Sequence, residues 1–406
     1  MRRSTDRILT SHTGRLFLPS SGMVGIGAAF TATPPEQLRK DVAEIVREQV
    51  RIGIDIVNNG ELGGNFLAFS DVLTGFELRD PKPGEPVSKI RSREMGDEFA
   101  DFYGSFPGPP MGGSAAGMAP GSLRMGGPSA EAVPPRPADA MPAALRMRTV
   151  CTGPLKAKSL DRLQQEIAIF KDALKGVKTE EAFWCVIAPA WLEEFTWNEY
   201  YSTQDDFIQA LSQAMAPIFR SVVDAGLILQ LDDPAITHTW EEAWIPPRPL
   251  DEYHKFIDVR VQTLNAALQG IPEDRVRYHV CWGSWNGPHT QNIPLRDVIH
   301  YVLKVKAQCY SIEAAKSSHL HEWKVWQEVK LPAGKILMPG VIDHTSNVVE
   351  HAEVVADRIM TYANVVGREN VIAGTDCGMR GHAHVNWAKY RSIVEGAKLA
   401  SARLWR

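Results

Sequence analysis

The feature that most limits how this chain can fold is a repeat. Short apolar runs, each followed by a longer amphipathic stretch, recur from residue 8 to residue 378. The runs are ILTSH (8–12), IDIVNNGE (54–61), RTVCTGPL (148–155), FWCVIAP (183–189), LILQLDDP (227–234), VRYHVCWG (276–283), CYSIEAA (309–315), ILMPGVIDH (336–344) and NVIAGTDCG (370–378). Many are β-branched and close on Gly, Pro or Asp, as strands buried on both faces of a parallel sheet do. Between them the apolar spacing predicts helices over 34–53, 159–177, 205–226, 293–307 and 350–367. In the first, apolar residues fall at 38, 42, 45, 46 and 50, and Gly53 marks the stop.

Alternation of this length requires a parallel sheet with helices outside it. The expected fold is α/β, a (β/α)8 TIM barrel with insertions. Nine runs compete for eight places, so one belongs to a flanking ribbon. The alternative, an open doubly wound sheet, lacks its usual G-x-G-x-x-G or Walker marker. Residues 1–406 are expected to form one barrel domain. Residues 104–144, crowded with Gly, Pro, Ala and Met, interrupt the rhythm and are expected to be a mobile insertion loop within it.

Composition narrows the function. With 44% hydrophobic and 23% charged residues, a large core can be built. A net charge of -4 gives no electrostatic reason to expect nucleic acid or an anionic membrane as partner. No apolar run reaches the roughly eighteen residues needed to span a bilayer. Arg2 and Arg3 are followed by polar residues rather than by the apolar core of a secretion signal, so a cytoplasmic location is expected. The cysteines are 151, 185, 281, 309 and 377, an odd and sparse set that argues against a disulfide framework and for metal ligation or simple burial.

The strand V-R-Y-H-V-C-W-G carries the strongest chemical signal. Side chains alternate along a strand, so His279 and Cys281 point to one side, at the C-terminal end where such barrels keep their sites. Glu313 ends the next strand and Cys377 ends the last one, so all four reach one rim. One imidazole, two thiolates and a carboxylate suit tetrahedral zinc, one per chain. A zinc-bound thiolate stays nucleophilic at neutral pH, so such a site can hold a substrate thiol in reactive form. Pattern alone leaves open that these cysteines are only small buried hydrophobes. Ligands spread over three strand ends, rather than packed in a small knuckle, favour a catalytic site.

At these residues the chain resembles the C-terminal catalytic barrel of cobalamin-independent methionine synthase and its shorter stand-alone relatives. The matching stretches are T-S-H-T-G-R-L near the start, D-I-V-N-N-G-E around Glu61, L-Q-L-D-D-P-A at 229–235, H-V-C-W-G at 279–283, S-I-E at 311–313, G-V-I-D-H at 340–344 and G-T-D-C-G at 374–378. The resemblance implies that His279, Cys281, Glu313 and Cys377 bind zinc. It implies that Asp232 and Glu61 hold the amino group of homocysteine. Asp233 stands where the family's D-E-P-A has Glu, and Asp343-His344 replaces the family's D-x-H, with the proton-shuttling histidine one residue out of register. The chain is little more than half as long as the two-barrel synthases. Its stretch S-S-H-L-H-E-W-K-V-W (317–326) is closer to the stand-alone members, which also resemble the zinc enzyme that joins epoxides to coenzyme M.

The expected activity is therefore zinc-dependent S-alkylation of a small thiol by an alkyl donor, with methyl transfer to homocysteine or a similar thiol as the leading form. The alternatives are addition of a thiol to an epoxide or other alkyl electrophile, the reverse C–S cleavage, and a non-catalytic zinc-binding relative. His344, His319 or His321 is expected to protonate the leaving group. His12 and Trp282 are candidate pocket residues, and Trp285 beside them could line an apolar wall. For the histidines at 12, 319 and 321 the competing reading is a solvated or structural one. Cys151, Cys185 and Cys309 read as core, and His382 with His384 reads as a surface pair rather than a second metal site. A homo-oligomer is left open.

Overall fold

The computed structural model describes residues 1–20, 33–63, 72–85, 99, 101, 148–242, 248–283 and 288–406. The insertion 104–144 and Trp285 lie outside the described residues. Eight strands pair in parallel: β1 (Leu9–Thr10), β2 (Ile56–Val57), β5 (Glu181–Ile187), β7 (Ile228–Asp232), β8 (Val276–Val280), β9 (Cys309–Ile312), β10 (Ile336–Ile342) and β11 (Ile372–Thr375). Their order is β1-β11-β10-β9-β8-β7-β5-β2. The two ends meet where the Asp55 N–H donates to the Thr10 carbonyl at 3.2 Å, so the sheet is a nearly closed barrel of the TIM type. The ninth run supplies β4 (Arg148–Cys151), which pairs with β3 (Phe76–Arg79) and β6 (Thr196–Asn198) in a separate three-stranded ribbon.

The inside of the barrel is set by period two. Residues facing inward on neighbouring strands pair in register: Gln230 with Arg277, Asp232 with His279, Arg277 with Cys309, and His279 with Ser311. Below the rim the interior holds an apolar cluster of Leu9, Ile56, Phe183, Cys185, Ile228, Cys309, Ile336, Met338 and Ile372. Cys309 belongs to it, and burial pushes its thiol up to about 12, so it is inert packing. A second, larger cluster lies between the sheet and the outer helices. Removing one fully buried side chain such as Ile218 or Leu264 from it would cost about 2–5 kcal/mol in lost transfer energy and cavity.

The helices form where expected, with shorter ends. They run Pro35–Ile52, Asp161–Ala173, Gln204–Asp224, Leu295–Val302 and Ala352–Val366. In the first, Gln49 rather than Val50 takes the fully buried place, because its amide donates to the Ile45 and Asn58 carbonyls and its oxygen meets His12. The Gln204–Asp224 helix is capped by Thr203, whose side chain accepts from the Asp206 N–H at 3.0 Å. Two further helices, Leu250–Ala267 and Ala383–Leu404, fill positions for which no helical pattern was identified. The last buries Asn386 and Lys389 beside its apolar residues, which blurs its stripe. Among the described residues no helix is long and apolar enough to cross a membrane.

Candidate metal centre and active site

Three ligand atoms converge at the C-terminal rim. The side chains of His279, Cys281 and Cys377 each offer a donor atom within 4.8 Å of the others. β8 delivers His279, the residue directly after β8 is Cys281, and the turn after β11 delivers Cys377. His279 is oriented from behind: its Nδ1 meets Ser311 Oγ at 3.0 Å, and its buried Nε2 has no hydrogen-bond partner. An orphaned imidazole nitrogen aimed at two sulfurs is what a metal would satisfy. The two thiols share a proton. The hydrogen bond from Cys281 holds Cys377 well below the usual thiol range, helped by His279, while Cys281 is pushed correspondingly up. Two sulfurs and an imidazole nitrogen fit zinc in the three-ligand arrangement that leaves one position for a substrate.

Glu313 stands outside that trio. Its carboxyl groups instead with His344 and Asp376, all three buried and within 4.8 Å of one another. One Glu313 oxygen accepts from the Trp282 N–H at 2.9 Å, and the other, buried, has no hydrogen-bond partner. Burial raises its pKa to about 7, and Lys316 partly offsets the effect. Asp376 is an anchor. Its carboxylate accepts the N–H groups of Ala314, Ala315 and Lys316, each at 2.7 Å, which ties the turn after β9 to the turn after β11. His344 is enclosed with neither ring nitrogen hydrogen-bonded, and burial lowers its pKa to about 3, so it is a neutral imidazole beside Cys377.

One cavity opens on the trio. It has about 610 Å3 of empty space counting its open mouth, and its wall includes His279, Cys281, Cys377, Glu61, Asp232 and Arg380. Glu61 and Asp232 form an acidic side with Cys185, again within 4.8 Å. Burial raises both carboxyls; repulsion from Glu61 raises Asp232 further, while Arg15 partly offsets the rise at Glu61. Asp232 accepts from Gln230 Nε2 at 2.7 Å, and Gln230 Oε1 accepts from Arg277 Nε at 2.7 Å, so a fully buried guanidinium supports this side from within the barrel. Glu61 sits in the left-handed region at φ 57, opposite Gly14, where any Cβ would overlap its carboxylate. Asp233 points away, accepting from the Tyr278 hydroxyl at 2.7 Å.

Among the described residues, the others singled out in the sequence are not on the cavity wall. His12 is wholly enclosed, with Nε2 on Gln49 at 2.8 Å and Nδ1 accepting from the Gly14 N–H at 3.2 Å; burial lowers its pKa to about 3. Its Nδ1 contact holds the Gly14 turn. Trp282 donates to the Ile293 carbonyl at 2.7 Å and stacks on His319 with ring centroids 4.2 Å apart. His319 spends both nitrogens, on Glu322 and Asn292. His321 is exposed, and His382 accepts from the His384 N–H as a helix cap. Sequence reading missed Gln230, Arg277, Arg15, Arg380, His238 and its partner Glu194. Arg277 had a signal, since it shares the strand face of His279 and Cys281.

Residues 203–398 match the family described as the catalytic domain of cobalamin-independent synthases. A 2-hydroxypropyl-CoM lyase of Xanthobacter autotrophicus is 23% identical over 91% of this chain and 86% of its own length. A methionine synthase of Saccharolobus solfataricus is 26% identical over 54% of this chain, and the match spans only 59% of that enzyme. In fold, the chain is similar to a B12-independent methionine synthase from Shewanella sp. W3-18-1, solved in complex with selenomethionine, at a TM-score of 0.66 and 16% identity over 98% of this chain and 99% of that one.

Proposed function

We propose that this protein is a zinc-dependent transferase that activates a small thiol for S-alkylation. The observation that carries the reading is the convergence of His279, Cys281 and Cys377 on the wall of a single cavity. Zinc held there would lower the pKa of a bound thiol, so that a nucleophilic thiolate exists at neutral pH. Glu313, with one buried oxygen unsatisfied beside the trio, is the candidate for a fourth ligand when the thiol position is empty. Ser311 fixes the His279 ring, and Asp376 fixes the turn that carries Glu313.

Two buried carboxyls beside the thiol position cost desolvation energy that a cation would offset. Glu61 and Asp232 are therefore read as holding the ammonium of an amino-thiol, which favours methyl transfer to homocysteine or a close analogue. A second reading rests on two observations: Arg15 and Arg380 share the same cavity wall, and the lyase similarity runs almost end to end. An anionic thiol of the mercapto-sulfonate kind, joined to an epoxide or released by C–S cleavage, would use that basic side. The test is thiol consumption by the zinc-loaded protein across a panel of thiols and alkyl donors. Turnover with homocysteine supports the first form, and turnover with a mercapto-sulfonate supports the second. No consumption of any thiol overturns both.

A further inference from the structure

We propose that Arg277, acting through Gln230, is the positioning residue that makes this cavity selective for a thiol bearing an ammonium group; the inference rests on the amino-thiol form of the reading above. Arg277 is fully buried in the barrel and pairs in register with Gln230, directly below the row in which Asp232 pairs with His279. Its Nε donates to Gln230 Oε1 at 2.7 Å, its Nη1 to Ser11 Oγ at 2.9 Å and its Nη2 to the His12 carbonyl at 3.0 Å. Nη1 also approaches Met338 Sδ at 3.5 Å, and the guanidinium carbon lies 3.8 Å from the Phe183 ring centroid. Among the described residues no carboxylate is hydrogen-bonded to it.

A guanidinium has donors only, so the atom of Gln230 that faces it must be the amide oxygen. Gln230 Nε2 is thereby turned onto two acceptors, Asp232 Oδ1 at 2.7 Å and the Thr13 carbonyl at 2.7 Å. The opposite amide orientation would set an oxygen against the Asp232 carboxylate. The same guanidinium ties down Ser11 and His12, just before Gly14, where the backbone comes so close to Glu61 that any Cβ would overlap its carboxylate. Arg277 thus backs both carboxyls that are read as ammonium partners. Packing alone does not call for it: a buried cation costs desolvation energy that an apolar residue in the same space would avoid.

Once Arg277 or the Gln230 amide is removed, Asp232 loses the donor that aims it into the cavity. Neither residue lies on the cavity wall, whereas Asp232, Glu61 and Thr13 do, so the effect on a ligand passes through those residues. The loss should fall on the amino group of the thiol and spare its sulfur, which belongs to the metal trio.

The test is a ratio of dissociation constants, measured by calorimetry on the zinc-loaded protein, for homocysteine and for γ-mercaptobutyrate, which lacks only the amino group. The wild type should prefer homocysteine. Gln230→Met and Arg277→Met should each cut that preference about tenfold, the order expected for one misplaced charge-assisted hydrogen bond, with zinc content unchanged. General damage to the fold would weaken both thiols alike and leave the ratio as it was. On top of Asp232→Asn, Gln230→Met should lower the preference no further, because both act on one contact. A wild-type ratio in Gln230→Met and Arg277→Met, or full additivity of Gln230→Met with Asp232→Asn, overturns the assignment while the amino-thiol reading stands. If the wild type binds the two thiols equally, the amino-thiol reading fails, and this inference fails with it. If Arg277→Met does not fold, the similarly sized Gln230→Met carries both the ratio and the double-variant comparison.

Discussion

Replacing Asp232 by Asn should separate what this residue does for folding from what it does for binding. Its side chain is enclosed, one oxygen accepts from Gln230, and Glu61 stands close enough to raise it further. The sign follows from the raised value. Below the ordinary carboxyl range, folded and unfolded chains are both protonated and the residue is neutral to stability. As pH rises past the unfolded pKa, the unfolded chain gives up its proton first, so the folded state loses stability until the folded pKa is passed. Asp232→Asn removes that loss, and an Asn oxygen can still accept from Gln230. The thiol-free variant should therefore melt higher than wild type near neutral pH, and the gap should close on acidification. Binding should move the other way. A buried ammonium would lose one charge-assisted partner, worth about 2 kcal/mol, or roughly 30-fold in Kd, while Glu61 keeps part of the interaction. Calorimetry with homocysteine and with a mercapto-sulfonate checks this, since the second has no ammonium to lose. Equal affinity of wild type and variant for homocysteine, with no gain in melting temperature, would refute the reasoning on both counts.

Cys281→Ala and Cys377→Ala should each abolish stoichiometric zinc binding and turnover while the barrel stays folded, because the core is large and the metal is not its keystone; far-UV circular dichroism with metal analysis reads both, and wholesale unfolding would mark the site as structural. Asp233 is raised to about 7 by burial, with one oxygen on Tyr278 and the other without a partner. Wild-type stability should thus fall between about pH 4 and pH 7 by an amount on the order of 4 kcal/mol from this group, and Asp233→Asn should flatten that slope in urea midpoints measured across the range.

Much of this was legible in the chain because the physics is local. Strands buried on both faces read as near-continuous apolar runs, so the eight barrel strands and the ribbon strand were visible. Period two puts His279 and Cys281 on one face from the sequence alone. The rest depended on contacts between distant segments. Glu313 ends a strand beside the ligands, yet the chain gives no sign that the Trp282 N–H draws its carboxyl toward Asp376 and His344. Glu194 and His238 lie on two short helices that the strand-then-helix pattern does not resolve, and their pairing is set by how those helices cross. Gln230 was a visible oddity, a polar residue inside an apolar run, whose meaning emerges only with Arg277 alongside it in the barrel. His12, a histidine just past a strand end, could not be known from the chain to place its Nε2 on Gln49 of the first helix.

The central claim is that His279, Cys281 and Cys377 hold one zinc that receives the thiol. Zinc-edge X-ray absorption on the reconstituted protein tests it most directly. The account predicts one zinc per chain with two sulfur scatterers near about 2.3 Å and a nitrogen near about 2.1 Å. It predicts a third sulfur when the thiol is added, and no stoichiometric zinc left to observe in Cys377→Ala or Cys281→Ala. A zinc shell without sulfur, or one that the thiol leaves unchanged, would contradict it.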